Sequence, residues 1–405
     1  RARNSGRRAR ARTGALVPAM TKPPLLNSAL MRVFVSSFGA TTSFYLLLSV
    51  VPLYATSVGA GGIGAGMTTG ALMFATVATE LATPRLVARF GYQLVFAAGL
   101  FLLGAPALAL PASTNMAAIL AVCVVRGVGF AITVVVGSSL VASLVPGERR
   151  GEGLGIYGVI VQVPAIIGLP LGVWLTSHAG FPVVFIAAAV AALAGLAAMP
   201  GLPRRVAVPV ESVGIVAGLR SPALLRPALA FSATAMAAGV IVTFLPLAVA
   251  HPASNVAAFA LLAQAIAATL TRWWAGRHGD QHGSGRLLIP ALLVSAAGLL
   301  AEVMTGSTTA VVLGMVVFGA GFGVAQNASL ILMFERVPKS GYDTASALWN
   351  LAYDAGLGVG GAGFGVLAAQ TGYSSAFAWT AALMLLALVP ALRDRAHPAP
   401  ATERG

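Results

Sequence analysis

The sequence predicts an all-α integral membrane protein, with twelve transmembrane helices in two six-helix, pseudo-symmetric bundles. Three observations predict it. The 405 residues are 58% hydrophobic and only 9% charged, where a soluble domain has about 45–50% apolar and about 25% charged residues. The apolar residues gather in twelve long, continuous runs. The basic residues of the connections fall in every second connection. This composition excludes an ordinary soluble enzyme, a disordered chain and a disulfide scaffold. The single cysteine, Cys123, excludes intrachain disulfides and multi-cysteine metal sites. Runs rich in Ala, Leu and Gly that do not alternate exclude a β-barrel.

The runs fall near 32–58, 63–84, 93–112, 115–144, 153–177, 181–200, 224–250, 254–274, 286–305, 308–334, 344–369 and 374–392. A span takes about 20 residues, so a dozen use about 240 and leave short loops. Pro52, Pro164, Pro170 and Pro246 lie inside runs, which membrane helices tolerate because neighbours satisfy the freed carbonyls.

One set of connections carries Arg85 and Arg89, then Arg149 and Arg150, then Arg204, Arg205, Arg220 and Arg226. It continues with Arg277 and Arg286, then Arg336 and Lys339, and ends with Arg393, Arg395 and Arg404. The alternate connections, at 59–62, 113–114, 178–180, 251–253, 306–307 and 370–373, contain no Lys or Arg. The positive-inside rule therefore places both termini in the cytoplasm of a multi-pass plasma-membrane protein. The same rule accounts for the net charge of +14 better than a nucleic-acid face does. Residues 1–24 read as an Arg-rich disordered tail, with Met20 a candidate start. The run after Arg7-Arg8 is too long for a cleaved signal.

Shifted by 192 residues, the chain meets itself. Arg126-Gly127-Val128-Gly129-Phe130 lies over Phe318-Gly319-Ala320-Gly321-Phe322, Val145-Pro146 over Val337-Pro338, and Gly180-Phe181 over Gly372-Tyr373. Pro84 and Gly91 lie over Gly276 and Gly283. The simplest account is a bundle at 25–200, a cytoplasmic linker at 201–223, a second bundle at 224–395 and a cytoplasmic tail at 396–405. Parallel repeats of this kind place a substrate site between the halves near mid-membrane.

Gly276, Asp280 and Gly283, with Gln281 between them, have the spacing of a Gly-x-x-x-Asp-(Arg/Lys)-x-Gly loop motif. The first-half counterpart keeps Arg89 and Gly91, with Ala88 in the Asp position. The fourth run has Gly127 and Gly129, with Cys123 where an Arg-x-x-(Gln/His)-Gly-x-Gly pattern has arginine and Arg126 three residues on. The fifth has Gly158, Pro164, Gly168, Pro170 and Gly172. On these residues the chain resembles the major facilitator superfamily from about 25 to 395, and within it the twelve-helix drug and metabolite:proton antiporters. The resemblance implies the major facilitator fold and rocking of two bundles about a central cavity. It also implies a role for Arg126 as the displaced helix-four arginine that senses a nearby acid.

Charge inside a bilayer is expensive, so each ionisable group there is a functional candidate. Asp354 lies about 16 Å along the eleventh run at 1.5 Å per residue, near the membrane centre. It ends a polar patch with Trp349, Asn350 and Tyr353. It either carries the coupled proton or holds a neighbouring backbone group or tyrosine hydroxyl. Arg126 keeps its proton and needs a carboxylate, a fan of carbonyls or an anionic substrate; Asp354 is one expected partner. Glu80 and Arg272 are repeat mates that either pair across the interface as a latch or snorkel separately. Glu302 reads as interfacial at the outer end of the ninth run, and Glu335 as a local partner of Arg or Lys. Gln162, Gln264, Gln326, Asn327 and Asn350 are candidates for cavity polarity, and Tyr45, Tyr157, Phe44 and Trp349 for aromatic walls. Gly168, Gly172, Gly356 and Gly360 would let the fifth and eleventh helices pack and bend.

Other motifs fail. Gly358, Gly360 and Gly363 match a dinucleotide fingerprint in spacing alone, inside an apolar run, and no Walker A loop exists. His278 and His282 flank Asp280 within the loop motif, which argues against a metal site. No nucleophile–base pair points to an enzyme. The expectation is a monomeric secondary transporter, without cofactor, metal, nucleotide or nucleic acid. It would export a small, fairly apolar molecule against inward proton flow. An importer or uniporter of a small metabolite and a non-transporting membrane sensor are the alternatives.

Overall fold

The structure, a computed structural model, describes residues 27–145, 149–202, 215–249, 255–338 and 341–396. The Arg-rich tail, most of the linker expected at 201–223 and the last nine residues lie outside the described residues. No strand occurs among the described residues.

The first repeat begins with α1 (Ser28–Leu48), capped by the Asn27 side chain accepting from the Leu30 amide, and continues as α2 (Val50–Ser57). The break between them falls at Ser49, beside Leu48, the residue whose carbonyl the Pro52 ring crowds four positions on. Next come α3 (Gly61–Phe90), α4 (Tyr92–Gly104) with a 3₁₀ continuation over Ala105–Ala112, α5 (Met116–Leu144), α6 (Arg150–Ala179) and α7 (Phe181–Ala194). After the short α8 (Ile215–Arg220), the second repeat follows. It comprises α9 (Pro222–Ala248), α10 (Val256–His282), α11 (Leu288–Ala301), α12 (Thr308–Phe334), α13 (Tyr342–Leu385) and α14 (Leu388–Ala396).

Eleven stretches among the described residues are long and apolar enough to span a bilayer. The last, Thr344–Asp394, has 51 residues and would run about 76 Å if straight, twice the need of one crossing. It is broken at Gly372, whose φ of 77° and ψ of 163° are not helical, so the eleven stretches supply twelve crossings. Their outer faces carry Leu94, Phe101, Leu270, Trp379 and Leu386, each more than half exposed. Such an apolar exterior fits lipid as solvent and does not fit water.

Two boundaries differ from the sequence reading. The stretches carrying the loop motif are helical: α3 continues through Pro84, Arg85 and Arg89 to Phe90, and α10 runs to His282. The turns are made by the motif glycines themselves, Gly91 with φ 80° and Gly283 with φ 86°. A residue with a Cβ is strained in that left-handed region. Gly180 and Gly372, with φ 80° and 77°, turn the chain in the same way. Both pairs are related by the 192-residue shift.

The repeat extends to the packing. A side chain at Gly127 would collide with the Leu72 carbonyl of α3, and one at Gly319 with the Gln264 carbonyl of α10. Gly129 packs against the Gly99 carbonyl of α4, and Gly321 against the Ala291 carbonyl of α11. All four partners are related by the same shift. Each glycine lets a helix axis approach its neighbour more closely than any other residue would allow.

Candidate functional site

The two repeats meet chiefly where α3 lies along α13 and where α6 lies along α10. Glycines on α13 set this geometry. Gly356 and Gly360, one turn apart, fit against the Ser232 and Met236 carbonyls of α9. Gly358 and Gly361 face the other way, toward Met73 and Thr69 of α3. Helix α13 is thereby held between α9 and α3. On α6, Gly168 fits over Tyr45 and Gly172 over the Leu46 carbonyl, which places Tyr45 of α1. Pro164 and Pro170 are buried in the same helix.

This arrangement brings six of the predicted residues together. Glu80 of α3 and Asp354 of α13 lie close enough to interact directly. Two carboxyl groups can hydrogen-bond only when one of them carries a proton. The Tyr45 hydroxyl lies beside that of Tyr353, and Arg272 of α10 lies near enough for its charge to act on both tyrosines. An Arg272 N–H donates to Gln326 Oε1 of α12 at 3.5 Å. Asp354 is 6% exposed. Tyr45 lies about 25 Å along α1 and Asp354 about 18 Å along α13, so the cluster occupies the middle of the membrane-spanning region. Beside it, the Phe231, Trp349 and Tyr353 rings lie within 8° of parallel. The Trp349 indole N–H donates to Ser329 Oγ at 3.0 Å.

The structure corrects two pairings and one placement. Glu80 meets Asp354, because α3 packs along α13, and Arg272 turns to Gln326 of α12, the helix packed on α10. Of its expected partners Arg126 takes the carbonyls and not Asp354. It is 2% exposed inside the first repeat, where its guanidinium donates to the Leu103 carbonyl at 2.7 Å and the Ser43 carbonyl at 3.0 Å. Leu103 lies where α4 tightens into 3₁₀ winding, which turns carbonyls away from the ladder. Glu302 is not interfacial. It is fully buried at the end of α11, and both carboxyl oxygens lack a hydrogen-bond partner. Gly314 of α12 makes the room, since a side chain there would fill the place of Oε1.

The remaining candidates lie apart. Tyr157 is buried against Ser37 and Gly137 within the first repeat. Gln264 is buried where Gly319 packs. Asn327 has a buried, unpartnered Oδ1, Gln162 is half-buried and Asn350 is exposed. Of the loop motif, Arg89 is exposed, its guanidinium over the Phe90 ring, Gly276 packs on Asn327, and the Asp280 side chain lies outside the described residues.

Sequence reasoning missed Phe231, which had no polar atom to draw attention. It also missed the hydrogen bond between Thr69 of α3 and Thr243 of α9, 2.8 Å long and buried between the repeats. The signal for it was present: Thr69 lies between Gly66 and Gly70, and Gly66 packs on the Gly361 carbonyl. A mostly apolar cleft of about 180 Å³, lined by Leu53, Val173, Trp174, Pro246 and Asn255, holds none of the predicted residues.

The family model for the Major Facilitator Superfamily matches residues 33–340 and, in an overlapping match, 227–405. The MFS-type transporter YhhS of Shigella flexneri, described as uncharacterized, is 27% identical over 389 residues, which cover 92% of this chain and 94% of the relative. The nucleoside transporter NupG superposes with a TM-score of 0.70 at 16% identity, covering 92% of this chain and 99% of its own. A bacterial homolog of the human lysosomal transporter Spinster, inward-facing and occupied, superposes with a TM-score of 0.69 at 15% identity. That match covers 91% of this chain and 94% of the homolog. At these identities the two structures are similar in fold alone.

Proposed function

Because the chain belongs to the Major Facilitator Superfamily, and so is a membrane transporter of that type, we propose that it is a proton-coupled exporter of a small, fairly apolar molecule. It works by alternating access in the plasma membrane, with both termini cytoplasmic. The observation that carries this reading is the Glu80–Asp354 contact. The two acids belong to different repeats, so rocking of one bundle against the other makes or breaks their contact. The contact needs one shared proton, so proton occupancy and bundle position are tied together. That is the minimum a proton-driven carrier requires.

The packing of Gly66 and Thr69 against Gly361 and Thr243 supports a form closed at the end of α3 that the charge pattern reads as outer. The small-residue seams on α6 and α13 support sliding of packed helices. The two bundles correspond to residues 25–200 and 224–395, and the monomer is the working unit.

The test compares cells expressing wild type, Asp354→Asn or Glu80→Gln at matched levels. Accumulation of a broad panel of labelled drugs and metabolites is followed with and without a protonophore. The proposal expects wild type to lower accumulation of some compound, and either substitution or the protonophore to abolish that. Raised accumulation by wild type would reverse the direction to import. Export that survives both substitutions would remove the acids from the mechanism.

A further inference from the structure

Resting on the transporter reading above, we propose that Arg272 anchors the anionic group of the transported molecule, which is an organic carboxylate with a flat apolar body.

Arg126, Arg336 and Arg272 differ in how they are satisfied. Arg126 donates to two backbone carbonyls at 2.7 and 3.0 Å. Arg336 forms a bidentate pair with Asp394 at 2.7 and 2.6 Å and donates also to the Ala223 carbonyl. Arg272, among the described residues, makes one hydrogen bond, a long one of 3.5 Å to the neutral Gln326, and no ion pair. A guanidinium presents five N–H donors and holds its charge. At membrane depth such a group is retained for a counter-charge. Among the described residues no acid lies within ion-pair distance of Arg272. Its capacity is therefore open to a ligand.

The surroundings define that ligand. Tyr45 and Tyr353 lie near Arg272, and their hydroxyls are further donors for an anionic oxygen. The fork of the guanidinium matches a carboxylate. The Trp349 and Tyr353 rings, 7° from parallel with centroids 6.2 Å apart and both only partly buried, are backed by Phe231. Together they offer a flat apolar face one helical turn long, next to the cation, which suits a planar aromatic body.

The experiment uses purified full-length protein in detergent and measures equilibrium binding by quenching of intrinsic tryptophan fluorescence. The probes are 2-naphthoate, its uncharged analogue 2-naphthamide and the cation 2-naphthylmethylammonium. Wild type is expected to bind naphthoate about tenfold more tightly than naphthamide, as loss of a charge-assisted bidentate contact implies. Arg272→Gln is expected to bind naphthoate and naphthamide equally. Arg272→Lys, which keeps the charge and loses the fork, is expected to fall between them, and it decides the matter if the Gln variant does not fold. Absence of naphthoate binding, preference for naphthamide or the cation, or a preference unchanged in both variants overturns the proposal. No proton gradient is present, so failure here leaves the proton-coupling reading standing, and failure of that reading leaves this result intact.

Discussion

Glu80 and Asp354 come from different repeats and come together in the middle of the membrane-spanning region. Each is supplied by a helix whose position is set by glycine. Helix α13 is pressed onto α3 through Gly358 and Gly361, and a bulkier residue at either would push the carboxyls apart. The pair is thus a readout of helix approach, which makes it suited to report and control bundle position.

Asp354→Asn leaves a group that can still hydrogen-bond to Glu80 but cannot take up or release a proton. In proteoliposomes this variant is expected to retain exchange of labelled for unlabelled substrate. Its uptake driven by a pH gradient should fall at least about a hundredfold, the scale on which loss of an ionisable group acts. Parallel loss of exchange and gradient-driven uptake would instead make Asp354 a structural residue.

Thr69 and Thr243 share a 2.8 Å hydrogen bond across the repeats. Replacing both with cysteine, in a chain where Cys123 is changed to Ala, is expected to give a disulfide under oxidation that stops transport. Reductant should restore it. Full activity in the oxidised, crosslinked protein would show that this contact need not open.

Among the glycines, Gly360 and Gly363 make opposite predictions. A side chain at Gly360 would collide with the Met236 carbonyl, whereas nothing lies within 4 Å of one at Gly363. Gly360→Val is expected to lower thermal stability in detergent by about 2 kcal/mol or more, as overpacking does. Gly363→Ala should leave it within about 0.5 kcal/mol. Thermal unfolding followed by fluorescence distinguishes them.

Arg336 ties the end of α12 to α14 and the start of α9 through Asp394 and the Ala223 carbonyl. Asp394→Leu strips one partner from a buried pair and is expected to destabilise by about 3 kcal/mol. Arg336→Leu together with Asp394→Leu should recover part of that loss. An additive double variant would show that the two side chains do not interact.

Much of this fold was legible in the sequence because each signal is one-dimensional. Span length, the absence of Lys and Arg from alternate connections and the 192-residue shift need no knowledge of helix rotation. The shift proved informative down to single contacts, as Gly127 on Leu72 and Gly319 on Gln264 show. Depth was legible too, so Asp354, Glu80, Arg272, Tyr45, Tyr353 and Gln326 were singled out. Their pairing was not. Rotation about each helix axis depends on which glycine faces which neighbour, and these helices are apolar on every side, so periodicity says nothing about it. Glu302 shows the same limit. Its depth suggested an interface, but the space that buries it is made by Gly314 on the next helix.

Proton coupling in this reading requires that one proton be shared between Glu80 and Asp354. Infrared difference spectroscopy of the purified protein during a pH titration tests it most directly, by following the carbonyl stretch of protonated carboxyl groups. A Glu302→Gln background removes that fully buried acid from the signal. A shared proton predicts a titrating carboxylic-acid band that shifts in frequency or pH midpoint in both Asp354→Asn and Glu80→Gln. A band that persists unchanged in both variants would contradict it.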